Sequence, residues 1–323
     1  MPPIFDLHCD TLYECHTDPA ITLAHNPKGH LDLGKLSAGG SLAQCFAIFI
    51  HAEKIAAELG GEESCWEFYQ MQSARFAQEL RENSSRLALA RTVAEIEKNR
   101  ADKKISALLT IEESGLLYGK LERLAELRRD GVSMMTLTWN FENCIGFPNS
   151  PDPALHARGL KEFGHDAVEE MARLGILVDV SHLSEGGFYD VAAKKRPFVA
   201  SHSCARGLCD HPRNLTDHQL RTLGDCGGLV GVNFYSRFLT GGTHTAIEDI
   251  LRHARYLVNT AGEDAVALGS DFDGIGCTLE FEDFAGMPRL VDALAREFSP
   301  AQVDKICFGN ALRVWQTVGT DYR

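Results

Sequence analysis

The stretch IFDLHCD, residues 4–10, sets three acidic or imidazole side chains into a run of β-forming residues at strict two-residue spacing. On a strand, successive side chains point to opposite faces, so Asp6, His8 and Asp10 are expected to share one face while Phe5, Leu7 and Cys9 share the other. One face then reads as apolar and the other as ligand-like. A half-exposed strand would show the same alternation, so the meaning of the pattern depends on what the rest of the chain brings to it.

Runs of the same kind recur. Short apolar, β-rich segments at 4–9, 42–50, 105–111, 133–139, 175–181, 197–202, 228–234 and 265–271 alternate with stretches of helical periodicity such as 62–99, 161–174, 217–223 and 247–260. Strands alternating with helices imply a parallel sheet covered by helices, and eight such units in 323 residues fit a closed (β/α)8 barrel of the TIM type. An open doubly wound sheet is the alternative. It announces itself by a glycine-rich phosphate turn after the first strand, where this chain has His8-Cys9-Asp10. No linker, repeat or low-complexity tract marks a boundary, so residues 1–323 are expected to form a single domain.

A barrel keeps its chemistry at the carboxyl ends of its strands. The residues that end each run are His8 and Asp10, Glu112 and Glu113, Trp139 and Asn140, Ser181 and His182, Ser201 to Ser203 around His202, Asn233, and Asp271 with Asp273. Polar residues follow strands in any protein, but three imidazoles and three carboxylates on one rim suit a borderline divalent ion such as zinc. They suffice for two ions if one carboxylate bridges. His8 and Asp10 would then bind the same ion from inside the barrel, with Asp6, one step deeper, as a hydrogen-bonding partner.

Composition removes other classes. The net charge of −13 and a sequence pI near 5.5, with no clustered Lys and Arg, work against a nucleic-acid partner. No apolar run has membrane-spanning length and no basic-then-apolar leader is present, so no membrane partner and a cytoplasmic location are expected. The ten cysteines are scattered, mostly singly in apolar segments, and form no C-x-x-C pair; they are expected to be reduced and mostly buried.

The blocks DLHCDTL, LLTIEESG, MMTLTWNFEN, RLGILVDVSHLS, ASHSCARGLCDHPRNLTD, GLVGVNFY, LGSDFDG and GNALRVW run in order from residue 6 to residue 315. In them the chain resembles the membrane (renal-type) dipeptidases, peptidase family M19 of the amidohydrolase superfamily. The resemblance implies a (β/α)8 barrel that holds two Zn2+ ions per chain and hydrolyses small dipeptides. His8 and Asp10 would bind one zinc, His182 and His202 the other, and a glutamate would bridge them. The family pattern places that carboxylate directly after the last aliphatic residue of the strand, which favours Glu112 over Glu113. The resemblance also implies a homodimer and tolerance of a D-residue on the carboxyl side of the substrate.

Two nearby dications lower the pKa of a shared water enough to supply hydroxide near neutral pH and polarise the scissile carbonyl. A carboxylate beside that water has to accept its proton and later deliver one to the departing amine. Asp271 is the candidate and Asp273 the competitor, the latter also suited to an Asx-type turn with Gly274. Arg213 in HPRNLTD, with its planar guanidinium, is expected to hold the substrate's terminal carboxylate, while Asn214 and Asp217 suit turn or cap positions. Tyr235 and Asn233 are expected in the pocket wall. Well-known mammalian-type members carry a histidine where this chain has Trp139. An indole cannot act as a cation, so carbonyl polarisation would fall more on the metal, or on Asn140 or Asn143. Two other readings stay open at this level: an amidohydrolase acting on a small amide or lactone, and a barrel without catalysis that serves for binding.

Overall fold

The structure, a computed structural model, describes residues 1–61 and 63–320. Eight parallel strands close into a barrel with helices between them: β1 (Ile4–Asp6), β2 (Ser41–Phe49), β3 (Ile105–Glu112), β4 (Val132–Thr136), β5 (Leu177–Asp179), β6 (Val199–Ser203), β7 (Leu229–Val232) and β8 (Val266–Leu268). The ring closes through β1, which pairs with β2 on one side and with β8 on the other. Every residue of β3 is buried, as a strand between barrel interior and helical layer requires.

Alternation sorts the strands into two cores. Phe5, Ala43, Cys45, Leu108, Met134, Leu177, Val199, Leu229 and Ala267 form one cluster to which all eight strands contribute, so it fills the barrel interior. The C-terminal helix Asn310–Thr320 closes the floor, with Trp315 fully buried 5.0 Å from the Phe5 ring. Ile4, Phe46, Ile48, Leu109, Ile111, Val178 and Val230 belong to the second cluster, beneath the surrounding helices. The apolar floor leaves only the upper end of the barrel for polar chemistry.

Three details differ from the sequence reading. The segment 62–99 is not one amphipathic stretch; it divides into helix Ser64–Glu82, an accessory strand Leu87–Leu89 against the lower half of β3, and helix Val93–Ala101. Asn83 ends the first helix and the Thr92 side chain caps the second by accepting from Glu95 N; Glu62 lies outside the described residues. The strands also stop sooner than their apolar composition suggests, since Leu137, Val180 and Phe234 are buried in loops beyond the last ladder pair. Finally, Phe5 and Leu7 do not face away from His8. They lie in the interior cluster, and His8 also turns inward. Pairing ends at Asp6, after which Leu7 N donates to Leu268 O and Cys9 N to Cys45 O, on opposite neighbours. A regular strand sends the N–H groups of residues i and i+2 to the same side, so the two-residue alternation breaks between Leu7 and His8.

A second irregularity serves β6. Its pairing with β7 shifts between Ala200 and Ser203, a bulge that re-aims Ser201 and His202. Gly231 and Gly269 make room for it: a Cβ on either would lie 2.0 or 1.8 Å from the Ser201 carbonyl oxygen. Gly269→Ala is expected to destabilise the protein by about 3 kcal/mol, the upper end of overpacking costs. Chemical denaturation checks this, and an unchanged midpoint would mean that the Ser201 backbone has room to move.

Candidate active site

The residues that end the strands converge above the apolar floor. Glu112, the last residue of β3, reaches the centre, with Oε1 3.0 Å from His182 Nε2 and 3.4 Å from His202 Nε2, and Oε2 3.6 Å from His8 Nε2. His8 Nε2 also lies 3.5 Å from Asp10 Oδ2 and 3.9 Å from Asp271 Oδ1. Four of these six side chains come from loops beyond the last ladder pair, and two of them sit in the left-handed backbone region, His182 at φ 67° and Asp271 at φ 62°. That conformation is uncommon for a histidine and is held where surrounding structure over-determines it.

Outer partners decide which atoms face inward. His182 Nδ1 is 3.0 Å from Asn140 Oδ1, an acceptor, so its hydrogen lies on Nδ1 and Nε2 presents a lone pair. His202 Nδ1 is 2.7 Å from Ser201 Oγ, whose own hydrogen goes to Asp179 Oδ2 at 2.6 Å; again Nε2 is the free lone pair. The two Nε2 atoms stand 3.1 Å apart and both face Glu112 Oε1. Three lone pairs meeting in a buried space repel one another unless a cation lies among them, and tetrahedral ligands at about 2.0–2.1 Å from zinc stand roughly 3.3 Å apart. His8 Nε2 and Asp10 Oδ1 are buried without any hydrogen-bond partner. This donor set fits divalent metal: His8, Glu112 and His202 form one group that could hold it and His8, Asp10 and Asp271 another, and His182 Nε2 joins the first through Glu112 Oε1 and His202.

The electrostatics point the same way. Burial pushes His182 down to about 4, with the Arg213 charge adding to it, and burial also holds His202 well below the usual range. Burial raises Asp10 to about 6 and Asp271 to about 7. His8 moves the other way: burial opposes its charge, but Asp10 and Glu112 outweigh that and hold it protonated well above the ordinary imidazole range. The carboxylates around His8 thus call for positive charge at that point.

Around this cluster lies a cavity of about 320 Å³ lined by Tyr13, Glu14, Phe49, Trp139, Asn140, Tyr235, Phe238 and Gly274 as well as the central acids and His182. Its volume suits a small ligand. A larger cleft of about 640 Å³, lined by His156, Tyr189 and Arg206, contains none of the converging groups. Arg213 is buried, with Nη2 donating to His202 O, the guanidinium 5.2 Å from the Phe238 ring centroid and Nε unpartnered. The loop that carries it is pinned by Asn214, which donates to the carbonyls of Cys209 and Phe238, and by the Thr216–Gln219 capping box that starts the next helix. Asp217 is therefore the first helical residue, accepting from the Tyr256 hydroxyl, and Thr216 is the cap.

Residues left in competition now have distinct surroundings. Glu113 points away from the centre and accepts from Trp139 N, Gly115 N and Asn143 Nδ2, which ties the loop after β4 to β3. Asp273 accepts from Thr11 Oγ1, His30 N and Asn26 Nδ2, so its oxygens are spent on holding loops together. Asp6 accepts from Ser270 N, Ser270 Oγ and Gln44 Nε2, just below Asp271. Asn233, expected in the pocket wall, is fully buried instead: its Nδ2 donates to Asp271 Oδ2 and His202 O, and its Oδ1 accepts from Tyr235 N. Its amide is consumed in fixing the strand ends, which leaves it no surface for a substrate. Asn140 does reach the cavity but also orients His182.

The sequence profile of the membrane dipeptidases matches residues 1–322, nearly the whole chain. The chain belongs to peptidase family M19. It is 40% identical over 259 residues to an uncharacterised protein from the pqqA 5′ region of Klebsiella pneumoniae, covering 76% of this chain and 94% of that one. It is 34% identical over 220 residues to an uncharacterised dipeptidase of Schizosaccharomyces pombe, covering 66% and 53%. Two solved structures superimpose over 98% of this chain: a metallopeptidase described as dipeptidase AC, TM-score 0.89 at 31% identity with 98% of that chain covered, and a metallopeptidase from Rhodobacter sphaeroides liganded with a phosphinate mimic of the dipeptide L-Ala-D-Ala, TM-score 0.88 at 30% identity with 99% covered.

This M19 protein is accordingly a metal-dependent hydrolase of the dipeptidase class. Its ten cysteines are free, and no described helix is long and apolar enough to cross a membrane. Because Asn140 and Ser201 fix the tautomers of His182 and His202, Asn140→Ala and Ser201→Ala are each expected to weaken metal affinity about 10- to 100-fold. Chelator competition on the purified protein measures it. Wild-type affinity in both variants would show that the imidazoles keep their orientation unaided.

Proposed function

We propose that this protein is a dipeptidase with two Zn2+ ions, held by His8 and Asp10 on one side, His182 and His202 on the other, and Glu112 between them. The observation that carries this reading is the buried meeting of unpartnered His8 Nε2, the two histidine lone pairs and both Glu112 oxygens. When bound, the ions supply Lewis-acid polarisation of the scissile carbonyl and lower the pKa of a water so that hydroxide is available near neutral pH.

The chain's own groups do the rest. Asp271 is held by Asn233 at Oδ2 and keeps Oδ1 turned toward His8, at the centre of the cluster. There it takes the proton of the attacking water and returns it to the departing amine, which leaves as a neutral molecule. Arg213, buried against the cavity-lining Phe238 and with Nε unpartnered, is the group assigned to the substrate's terminal carboxylate. A carboxylate held at a fixed distance from the reacting carbonyl limits the enzyme to one residue beyond the scissile bond. Trp139 lies 6.1 Å from the His182 ring, and its indole walls the cavity with no charge to offer. The phosphinate mimic bound by the Rhodobacter sphaeroides relative carries a D-residue on the carboxyl side, and that supports acceptance of L-D dipeptides here.

Chelation is expected to abolish cleavage of L-L and L-D dipeptides and added zinc to restore it, as read by release of free amino acid. In the same assay Arg213→Ala is expected to lower kcat/KM on free-carboxylate dipeptides about 10- to 100-fold, the value of a charge-assisted contact. Cleavage of C-amidated dipeptides as fast as the free acids would rule out the clamp and favour a different small amide as substrate.

A further inference from the structure

One charged group in the cavity has no work in the chemistry. Glu14, on the short helix Thr11–Thr17 that follows β1, lines the cavity with its neighbour Tyr13 and is half-buried. The other peripheral acid, Asp273, is saturated by Thr11, Asn26 and the His30 backbone. Among the described residues no Lys, Arg or His comes within ion-pair distance of the Glu14 carboxylate. His30 is turned to Asp273 instead, its Nδ1 3.0 Å from Asp273 N and 3.3 Å from Asp273 Oδ1. Lys54 donates to the Tyr13 hydroxyl at 2.8 Å and stands 5.4 Å from its ring centroid on the solvent side, which shows that this ring accepts a cation and leaves the Glu14 carboxylate without one.

An aromatic strip runs along the cavity from the central histidines to Tyr13, the neighbour of Glu14. Trp139 follows His182 at 6.1 Å between ring centroids, Phe49 follows Trp139 at 4.9 Å, and Tyr13 follows Phe49 at 5.4 Å. Barrel order fixes the direction of the strip relative to Arg213. Arg213 sits in the loop after β6 and Glu14 after β1, with β7 and β8 between them on one side of the ring and β2 to β5 on the other, so the two lie well apart around the mouth. On the dipeptidase reading, a substrate whose carboxylate lies at Arg213 directs its amino-terminal side chain along the aromatic strip toward Glu14. Aromatic faces that end on an unpaired carboxylate favour a cation.

We propose that Glu14, Tyr13 and Phe49 form the seat of the amino-terminal side chain and that this seat selects a long cationic residue, arginine or lysine. The test uses the zinc-loaded full chain with L-Arg-L-Ala, its uncharged near-isostere L-citrullinyl-L-Ala, L-Leu-L-Ala, and L-Ala-L-Arg. The wild-type enzyme is expected to favour the arginyl over the citrullinyl substrate by about 10- to 100-fold in kcat/KM, and Glu14→Gln to bring that ratio near one. The conservative variant Glu14→Asp should restore part of it.

A wild-type ratio near one, or a ratio that survives Glu14→Gln, overturns the assignment while leaving the dipeptidase reading in place. Dependence of L-Ala-L-Arg on Glu14, in place of L-Arg-L-Ala, overturns the stated orientation. Failure of the wild-type enzyme to cleave any of the four, L-Leu-L-Ala included, overturns the dipeptidase reading and this assignment with it.

Discussion

Electron pairs that face one another without a proton between them dominate this molecule. His182 Nε2, His202 Nε2 and Glu112 Oε1 lie within 3.0–3.4 Å of each other in a buried space. Such a cluster persists only if the chain pushes its members together more strongly than they repel, or if a cation joins them. The pushing is visible in the layer below. Asp6 accepts from Ser270 N and Oγ at 2.8 and 2.6 Å, and Asp179 accepts from Ser201 N and Oγ at 2.9 and 2.6 Å. The same carboxylate–serine clasp thus occurs twice, each time immediately before a central residue, Asp271 in one case and His202 in the other. Each clasp locks two neighbouring strand ends at the height where the ligands emerge.

The bulge in β6 and the paired glycines belong to the same requirement. A regular strand would alternate Ser201 and His202 across the sheet, whereas the site needs the imidazole inward and the serine hydroxyl beneath it. Gly231 and Gly269 give the displaced Ser201 carbonyl a place to go. Strain is concentrated at the strand ends, where His182 and Asp271 adopt positive φ, and the apolar floor of Phe5, Leu108, Val199 and Trp315 supplies the packing that offsets it.

Much of this architecture was legible in the residues. Eight β-rich runs separated by helical periodicity gave the closed barrel, and polar residues at their carboxyl ends located the rim. Strand ends were read too long because Leu137, Val180 and Phe234 continue the apolar pattern after the hydrogen-bond ladder has stopped. The face shared by Asp6, His8 and Asp10 was a fair reading of spacing, but the switch of partners between Leu7 and Cys9 depends on the neighbouring strands and leaves no mark in the stretch itself. Asparagines were the least readable residues: an amide serves equally as a wall, a cap or a brace, and only the surroundings of Asn140 and Asn233 separate those uses. Tyr13, Glu14 and Phe49 carry no motif and meet only through the fold.

The barrel is sealed by its extremes. Asp6 in β1 pairs with Leu268 in β8, and Trp315 rests on Phe5. During synthesis the first strand therefore waits for more than 250 residues before its second edge is covered, on the order of tens of seconds at ~5–20 residues per second. Through that interval the second edge of β1 stays unpaired and the apolar floor stays open to solvent. Closure of the ring and burial of its floor are therefore late, long-range events, completed by β8 and the helix Asn310–Thr320.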